Sequence, residues 1–182
     1  YYTYLKTWQP AYNSLVCDEY KNAALISSWY AGLCNNGSCR LPDVDITGKD
    51  QLIFRFSTAE KTGIWALHAD SVNGPVIASS LLTPGKDWWT IASIPLKSLQ
   101  GKHHLYLTYK NPNLKNPEAT GVTFDWLYFT NSFPGRDKPG ADSAQKIFWR
   151  LMNAPVTTTP VMFENPLAMH RSSHVFERGN WL

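Results

Sequence analysis

The sequence predicts an all-β domain, a sandwich or a barrel, followed by a short helix and an irregular tail. Hydrophobic and polar residues alternate over several short runs, which is the period of a strand with one buried face. Turn signals rich in Gly, Pro and Asn separate these runs at intervals of about ten residues, a spacing typical of sandwiches and barrels rather than of βαβ units. The chain has 182 residues, 43% of them hydrophobic, so one domain can bury a sizeable core.

The first forty residues carry the weakest pattern. A strand is predicted at 40–46, and Pro42 within it suggests an edge position because proline donates no ladder hydrogen bond. Just before it, residues 35–38 (Asn-Asn-Gly-Ser) predict a tight turn between two cysteines. The N-terminal part of the domain is therefore predicted only in outline.

The clearest strand is predicted at 51–56, where Leu52, Phe54 and Phe56 alternate with their neighbours. Another follows at 63–69, and further strands are predicted at 75–82, 88–94, 104–109 and 122–129. Asn-Gly and Pro-Gly turns, at 71–74 and 83–87, and a polar loop at 111–120 separate them. In the last strand, one face is predicted to carry Val122, Phe124, Trp126 and Tyr128.

The pattern changes after residue 133. A helix is predicted at 141–153, with Ser143 as its N-cap. Its apolar stripe is formed by Ile147, Phe148 and Leu151. Pro155 should end this helix.

The tail from 157 to 182 is apolar but has neither a helical nor a strand period. Ordering such a segment is favourable only against an existing surface, because backbone entropy opposes it. We therefore expect it to lie along the sandwich or against another domain, with Phe176 and Trp181 as anchors and Arg171 and Arg178 at the rim.

Composition and charge exclude several classes of protein. The net charge is only +3, and the basic residues are scattered, which argues against nucleic-acid binding. No run of about 18 apolar residues is present, so no membrane-spanning segment is predicted. The 14% aromatic and 17% charged residues favour an extracytoplasmic protein, whether periplasmic, secreted or on the cell surface. Because the chain starts at Tyr1, we expect a processed protein or a piece of a longer one.

The chain has three cysteines, so at most one internal disulfide can form. Cys34 and Cys39 flank the predicted turn and would face each other across a hairpin. Cys17 with Cys39 is the other pairing. The sequence does not choose between them.

The order of the motifs between residues 45 and 130 resembles that of the family 6 carbohydrate-binding modules. The segments that carry the resemblance are DVDITGKDQLIFRFST, NGPVIASSLLTPGKDWWTIASIPL, GKHHLYLTYKN and GVTFDWLYFT. The resemblance implies a jelly-roll sandwich over residues 1–132 that binds polysaccharide or oligosaccharide through a loop cleft. It implies no catalysis by this segment.

The tail resembles a second kind of sequence. Its segment PVMFENPLAMHRSSHVFERGNWL is similar to one in large bacterial proteins, common in planctomycetes, that join cytochrome-type domains to further domains. This resemblance implies that residues 133–182 are a linker, a helix and a tail leading into a missing domain. Other domains of the same protein would then be its partners.

The family's sugar cleft needs two aromatic side chains and an Asn, and none of them transfers directly. Leu33, Lys86 and Thr123 stand at the three matching positions. Aromatic residues lie close by in the sequence. We therefore predict stacking of sugar rings on Trp29, Tyr30 and Trp88.

Two residues complete the predicted sugar site. Asn36 or Lys86 would bind the sugar hydroxyls. Trp89 matches the family's buried Trp, and alternation along a strand then places its neighbour on the outside.

The family often holds a structural calcium ion, and no other cofactor is predicted. Asp125 matches the family's acidic ligand, and Asp18 and Glu19 are candidates for the N-terminal one. The competing interpretation makes Asp125 an ordinary hydrogen-bonded strand residue. His170 and His174 have a helical i, i+4 spacing, but nothing nearby completes a zinc site.

Together these observations predict a noncatalytic carbohydrate-binding module of a larger extracytoplasmic bacterial protein. The alternative is a structural or protein-interaction jelly roll that has lost sugar binding, in a cytochrome-associated redox protein. The non-aromatic residues at the family's ligand positions favour that alternative, whereas the nearby tryptophans favour sugar binding.

Overall fold

The computed structural model describes residues 12–133, 135 and 137–152. Its strands are β1 (Tyr12–Asn13), β2 (Asp18–Ile26), β3 (Tyr30–Asp45), β4 (Gln51–Ser57), β5 (Ile64–Ala69), β6 (Val76–Leu81), β7 (Thr90–Pro95), β8 (Lys102–Lys110) and β9 (Val122–Thr130). A 3₁₀ turn at Ser14–Val16 and one helix, α1 (Ala141–Met152), complete the described elements.

The strands form one sheet that folds back on itself. Its main path is β6-β5-β8-β3-β9-β4-β7, with β1 added beside β9 and β2 beside β3. β3 joins the two layers, because its residues 31–33 pair with β9 and its residues 37–45 pair with β8. At the open edges, the Lys97 amide donates to the Ile77 carbonyl over 2.9 Å, so the sheet is nearly closed. The predicted all-β jelly-roll sandwich with a short helix is confirmed.

The core lies between the two layers. Leu52, Phe54 and Phe56 all point into it from β4, as their alternation predicts. The Phe54 and Trp65 ring centroids are 4.7 Å apart, and Trp65 is 5.2 Å from Phe124. Aromatic packing of this kind is worth more than its buried area alone.

The N-terminal region differs from the prediction. Residues 35–38 do not form a tight turn, because β3 runs without interruption from Tyr30 to Asp45. Asn36 has a φ of 57°. Just after this residue, β3 changes its pairing partner from β9 to β8. Pro42 also lies inside β3, where the register shifts between Leu41 and Val44. Beyond Arg40, which pairs with Asp18 of β2, the described pairing of β3 is with β8 alone, so Pro42 lies where the other side of the strand is open, in agreement with the predicted edge position.

β9 carries a second irregularity that matters for the site. Opposite Arg55 lies Trp126, whereas opposite Phe56 lies Phe124, so Asp125 is an extra residue in β9. After such a bulge the alternation reverses. The predicted common face therefore ends at Phe124, and Leu127 replaces Trp126 in the main core.

Helix α1 covers the outer face of the β4–β9 layer. It begins at Ala141, so the prediction of Ser143 as its N-cap is wrong. Phe148 and Trp149 pack against a small cluster on the sheet, whereas Ile147 and Leu151 are 51% and 68% exposed. Two residues of the predicted stripe thus face away, because the helix is rotated to bring Trp149 onto the sheet.

Within the described residues, no helix has the length and apolar character needed to span a membrane. The tail and its anchors, Phe176 and Trp181, lie outside the described residues. Arg171, Arg178, His170 and His174 lie outside them too. The division of the chain near residue 132 stays a prediction.

Candidate functional site

Two aromatic side chains from different loops meet at one end of the sandwich. Tyr30 begins β3, and Trp89 ends the irregular segment before β7. Their ring centroids lie 4.9 Å apart, with planes inclined by 44°. The sequence placed Trp89 on a strand, but β7 begins only at Thr90. Trp89 is half-buried against Tyr30 rather than part of the main core.

An ion pair lies against this aromatic contact. The Arg55 guanidinium is 4.7 Å from the centroid of the Trp89 ring, and its Nη1 donates to the Asp125 carboxylate. The side chains of Arg55 and Asp125 are 28% and 12% exposed. Burial raises the pKa of Asp125, and the positive charge of Arg55 opposes this rise. The bulge in β9 is what turns Asp125 toward this face.

The neighbours of the aromatic pair are exposed. Trp88 precedes Trp89 and is 80% exposed, while Trp29 precedes Tyr30 and is 43% exposed. Each loop therefore supplies one ring that is packed and one that reaches solvent. Because the packed rings touch each other, both exposed indoles lie at the same end of the sandwich.

The Tyr30–Trp89 contact leaves no room for a sugar between these two rings. Carbon atoms in contact are about 3.5–4 Å apart, so a ring sandwiched between two aromatic planes needs those planes about 7–8 Å apart. The observed centroid distance is 4.9 Å. Any stacking on this surface therefore uses exposed faces, above all that of Trp88.

The predicted polar partners are placed differently. Lys86 is exposed in the same loop as Trp88. Asn36 is also exposed but sits at the irregularity of β3, six residues after Tyr30. At about 3.3 Å per residue, that is roughly 20 Å along the strand. The structure thus brings Lys86, but not Asn36, to the exposed tryptophans.

Two of the residues at the family's matching positions, Leu33 and Thr123, are packed within the fold. Leu33 is fully buried in the core. Thr123 is half-buried on β9, opposite Gly32 of β3 and Ser57 of β4. The sequence interpretation missed Arg55, which its own alternation pattern places on the outer face of β4.

The acids named for calcium do not come together, since Asp18 and Glu19 both pair with Arg40. Glu19 accepts a hydrogen bond from Tyr106 and pairs with Arg40 over 2.9 Å, whereas Asp125 pairs with Arg55. Arg40 is nine positions along β3 from Ala31, which is paired with the residue preceding Asp125. At about 3.3 Å per residue, that separation is roughly 30 Å along the strand. Within the described residues no cluster of three His, Cys, Asp or Glu side chains occurs, so these acids do not fit the implied calcium site.

The fold is similar to solved carbohydrate-binding modules. CsCBM6-3 from Clostridium stercorarium, in complex with cellobiose, matches with a TM-score of 0.56 at 16% identity, over 68% of this chain and 94% of that one. A β-1,3-glucan binding CBM6 from Bacillus halodurans matches at 0.55 and 13%, over 66% and 95%. A carbohydrate-binding module from Cellvibrio mixtus lichenase 5A, in complex with cellotriose, matches at 0.52 and 10%, over 68% and 98%.

A partial match involves an enzyme. The chain spans 21% of a glycoside hydrolase family 43 arabinoxylan arabinofuranohydrolase from Bacillus subtilis, with a TM-score of 0.48 at 14% identity over 56% of this chain. No protein-family model and no curated protein sequence matches the chain. At these identities the similarities show the jelly-roll fold of family 6 modules.

Proposed function

We propose that this chain is a noncatalytic carbohydrate-binding module whose ligand surface is formed by Trp88, Trp29 and Lys86. The observation that carries the proposal is the 80% exposure of Trp88. Exposing an indole to water is unfavourable. The Trp88 indole is nevertheless held in this position, because the following residue, Trp89, is packed against Tyr30. The fold shared with sugar-binding modules supports this ligand class.

Binding would proceed by stacking on one face. The pyranose C–H groups pack on the Trp88 indole, and Trp29 offers a second exposed ring at the same end. The Lys86 ammonium donates hydrogen bonds to sugar hydroxyls. Tyr30 supports the surface without stacking on the sugar, because its ring packs against Trp89 and holds it in place. A surface that contacts each sugar from one side binds more weakly than a cleft that encloses it.

The acid beneath this surface has a supporting role. Asp125 is paired with Arg55 and only 12% exposed, so it orients the cation that lies on Trp89. A group that acts as a catalytic acid must reach the substrate. We therefore assign no reaction to this segment.

The larger context is also a proposal. A polysaccharide ligand fits an extracytoplasmic location, where such polymers occur, and a noncatalytic module fits attachment to further domains. The planctomycete cytochrome-associated parent stays a prediction from the tail sequence.

Affinity electrophoresis tests the proposed function. Native gels containing hydroxyethylcellulose, laminarin, xylan or arabinoxylan should retard the wild-type protein on at least one polysaccharide. Trp88→Ala should abolish most of that retardation, and Trp29→Ala should reduce it. The matched control is Leu81→Ala, which removes a side chain that is 56% exposed on edge strand β6. A folded wild-type protein that no polysaccharide retards, or a Trp88→Ala variant retarded like wild type, would contradict the proposal.

A further inference from the structure

A concave surface, separate from the Trp88 surface, lies between helix α1 and the β4–β7 edge of the sheet. It is a half-open groove with a volume of about 330 Å³. Ligand sites usually have volumes of about 300–1,000 Å³, so this groove suits a saccharide of one or two rings. Its described lining includes Asp50, Gln51, Ser93, Ser132, Gln145 and Trp149.

The way α1 packs creates this groove. Phe148 and Trp149 rest on the Ile53–Trp126 cluster of the outer sheet face. Gln145 is four residues before Trp149, so the two side chains share a helix face. An exposed amide and a half-buried indole thus form one wall, opposite β7.

The opposite wall holds polar groups that other hydrogen bonds orient. The Gln51 side-chain amide donates to the Ser93 hydroxyl, which leaves the Ser93 O–H hydrogen able to donate in turn. Next to them, the Asp50 carboxylate accepts from the Ser132 amide and from its hydroxyl over 2.7 Å. The groove therefore combines amide, hydroxyl and carboxylate groups that are held in place before any ligand arrives.

We propose that this groove is a second saccharide-binding site, in which a sugar ring packs on Trp149 and bonds to Gln145, Gln51 and Ser93. An aromatic face beside amides and hydroxyls matches the alternating C–H and O–H groups of a neutral sugar. The ligand class rests on the proposed function, whereas the site itself shares no residue with the Trp88 surface.

The register of β4 and β7 separates the two sites. Gln51 pairs with Pro95 at the groove end, whereas Phe56 pairs with Thr90 at the end next to Trp89. Five residues of strand correspond to about 17 Å. One polymer chain or two different chains can then contact both surfaces, which would increase avidity for polysaccharide over short oligosaccharides.

NMR titration of the whole chain tests this site. Labelled protein is titrated with cellobiose, laminaribiose, xylobiose and arabinobiose, and backbone amide shifts are followed at Ser93, Ser132 and Gln145. At least one disaccharide should shift these amides in a saturable way. The same shifts should persist in Trp88→Ala, because the groove does not use Trp88.

Two substitutions address the groove itself. Gln145→Leu and Gln51→Met each remove one amide while keeping similar volume. Loss of one hydrogen bond should weaken groove binding about five- to ten-fold. The matched control is Lys146→Met on the exposed side of the same helix, which should leave the affinity within about two-fold. Circular dichroism confirms that each variant retains its fold.

The outcomes separate the two sites. Shifts at the groove in both wild type and Trp88→Ala, weakened by Gln145→Leu, support the second site even if Trp88 binds nothing. Shifts confined to the loop of Trp88, or groove shifts unaffected by Gln145→Leu and Gln51→Met, overturn it and leave the proposed function standing. Absence of any saturable shift with all four disaccharides overturns it as well.

Discussion

Arg55 contacts Trp89 through its guanidinium, 4.7 Å from the ring centroid, while the same group pairs with Asp125. One side chain thus connects the bulge of β9 to the loop that presents Trp88. A cation–π contact of this kind contributes about 0.5–2 kcal/mol, more when desolvated. The position of the exposed Trp88 indole therefore depends on residues that lie outside the proposed ligand surface.

Replacing Arg55 by methionine should destabilise the domain. It leaves the Asp125 carboxylate, which is 12% exposed, without its counter-charge, and removes the contact on Trp89. We expect a loss of about 2–3 kcal/mol in the free energy of unfolding at pH 7, less than for a fully buried pair. Urea denaturation measures it.

The pH dependence of this variant provides the control. Burial raises the pKa of Asp125, and without Arg55 it should rise further. A folded-state pKa above the unfolded value means that folding takes up a proton, so this contribution to stability falls as pH rises from about 4 through the raised pKa. Arg55→Met should thus be closer to wild type at pH 4 than at pH 7. Adding Asp125→Asn should remove the difference between the two pH values, and an additive double mutant would contradict the coupling.

Trp88 and Trp89 should differ in how much they contribute to the free energy of unfolding. Trp89→Ala removes a ring that packs on Tyr30 and under Arg55, and we expect a loss of about 2 kcal/mol in thermal or chemical unfolding. Trp88→Ala removes an 80% exposed ring and should change stability by less than about 0.5 kcal/mol. Equal losses for the two variants would show that Trp88 also packs in the fold, which would weaken its assignment to a ligand.

The inner faces of the sheet were predictable from the sequence, but the outer faces were not. Leu52, Phe54 and Phe56 follow a simple two-residue period, so their burial could be predicted. Ile53 lies on the opposite face and is only 2% exposed, because α1 covers it. No local pattern reports where a later helix docks. The packing of α1 on this face also explains why Ile147 and Leu151 were wrongly assigned to the buried stripe of the helix.

The candidate site was predictable in type but not in detail. The sequence indicated Trp29, Tyr30 and Trp88 as candidate stacking residues, and it placed Trp88 on the outside of the fold. It did not indicate that Tyr30 and Trp89 would touch, because that contact joins residues 59 positions apart. Nor did it reveal the bulge at Asp125, which depends on pairing with β4. Long-range pairing, rather than local preference, decides both features.

His103 should make stability depend on pH near neutrality. Its Nδ1 contacts the Asp70 carboxylate at 2.9 Å, and its Nε2 contacts the Gln100 carbonyl at 2.9 Å. Both partners accept hydrogen bonds, so only the protonated ring, which has two N–H groups, satisfies both. The Asp70 hydrogen bond, and then that of Gln100, raises the pKa of His103 above its usual 6.5. The resulting stabilisation is fully present below about pH 6.5 and is lost as pH rises through the raised pKa.

Proton NMR titration of the His103 ring measures this pKa directly. In Asp70→Asn it should fall toward its usual value, and the dependence of stability on pH above 6.5 should decrease. His103→Gln should remove that part of the pH dependence altogether. A wild-type pKa at or below 6.5, or one unchanged by Asp70→Asn, would show that the ion pair is not formed in solution.

The positions of the three cysteine side chains decide which of the two disulfide pairings forms. Asp18 pairs with Arg40 across β2 and β3, so by alternation the preceding residues, Cys17 and Cys39, point to the same opposite face. Interaction with the Cys17 side chain is the main cause that raises the pKa of Cys39, which is consistent with neighbouring thiols. Cys34 is directed elsewhere, with its thiol 3.1 Å from the Glu118 carbonyl. The structure therefore favours Cys17–Cys39 over the Cys34–Cys39 hairpin pairing.

Glutathione disulfide should link Cys17 to Cys39 while leaving Cys34 reduced. The two thiols lose two protons and two electrons, and the glutathione disulfide becomes two glutathione thiols. The Cys17 hydrogen bond, followed by burial, raises the pKa of Cys39, so the reaction should accelerate with pH as thiolate forms. A loop of 22 residues, 39 minus 17, would add about 3 kcal/mol to the free energy of unfolding. Peptide mapping should find this bond in wild type and in Cys34→Ser but not in Cys17→Ser, and a Cys34–Cys39 bond in wild type would show that the thiol contact does not direct the oxidation.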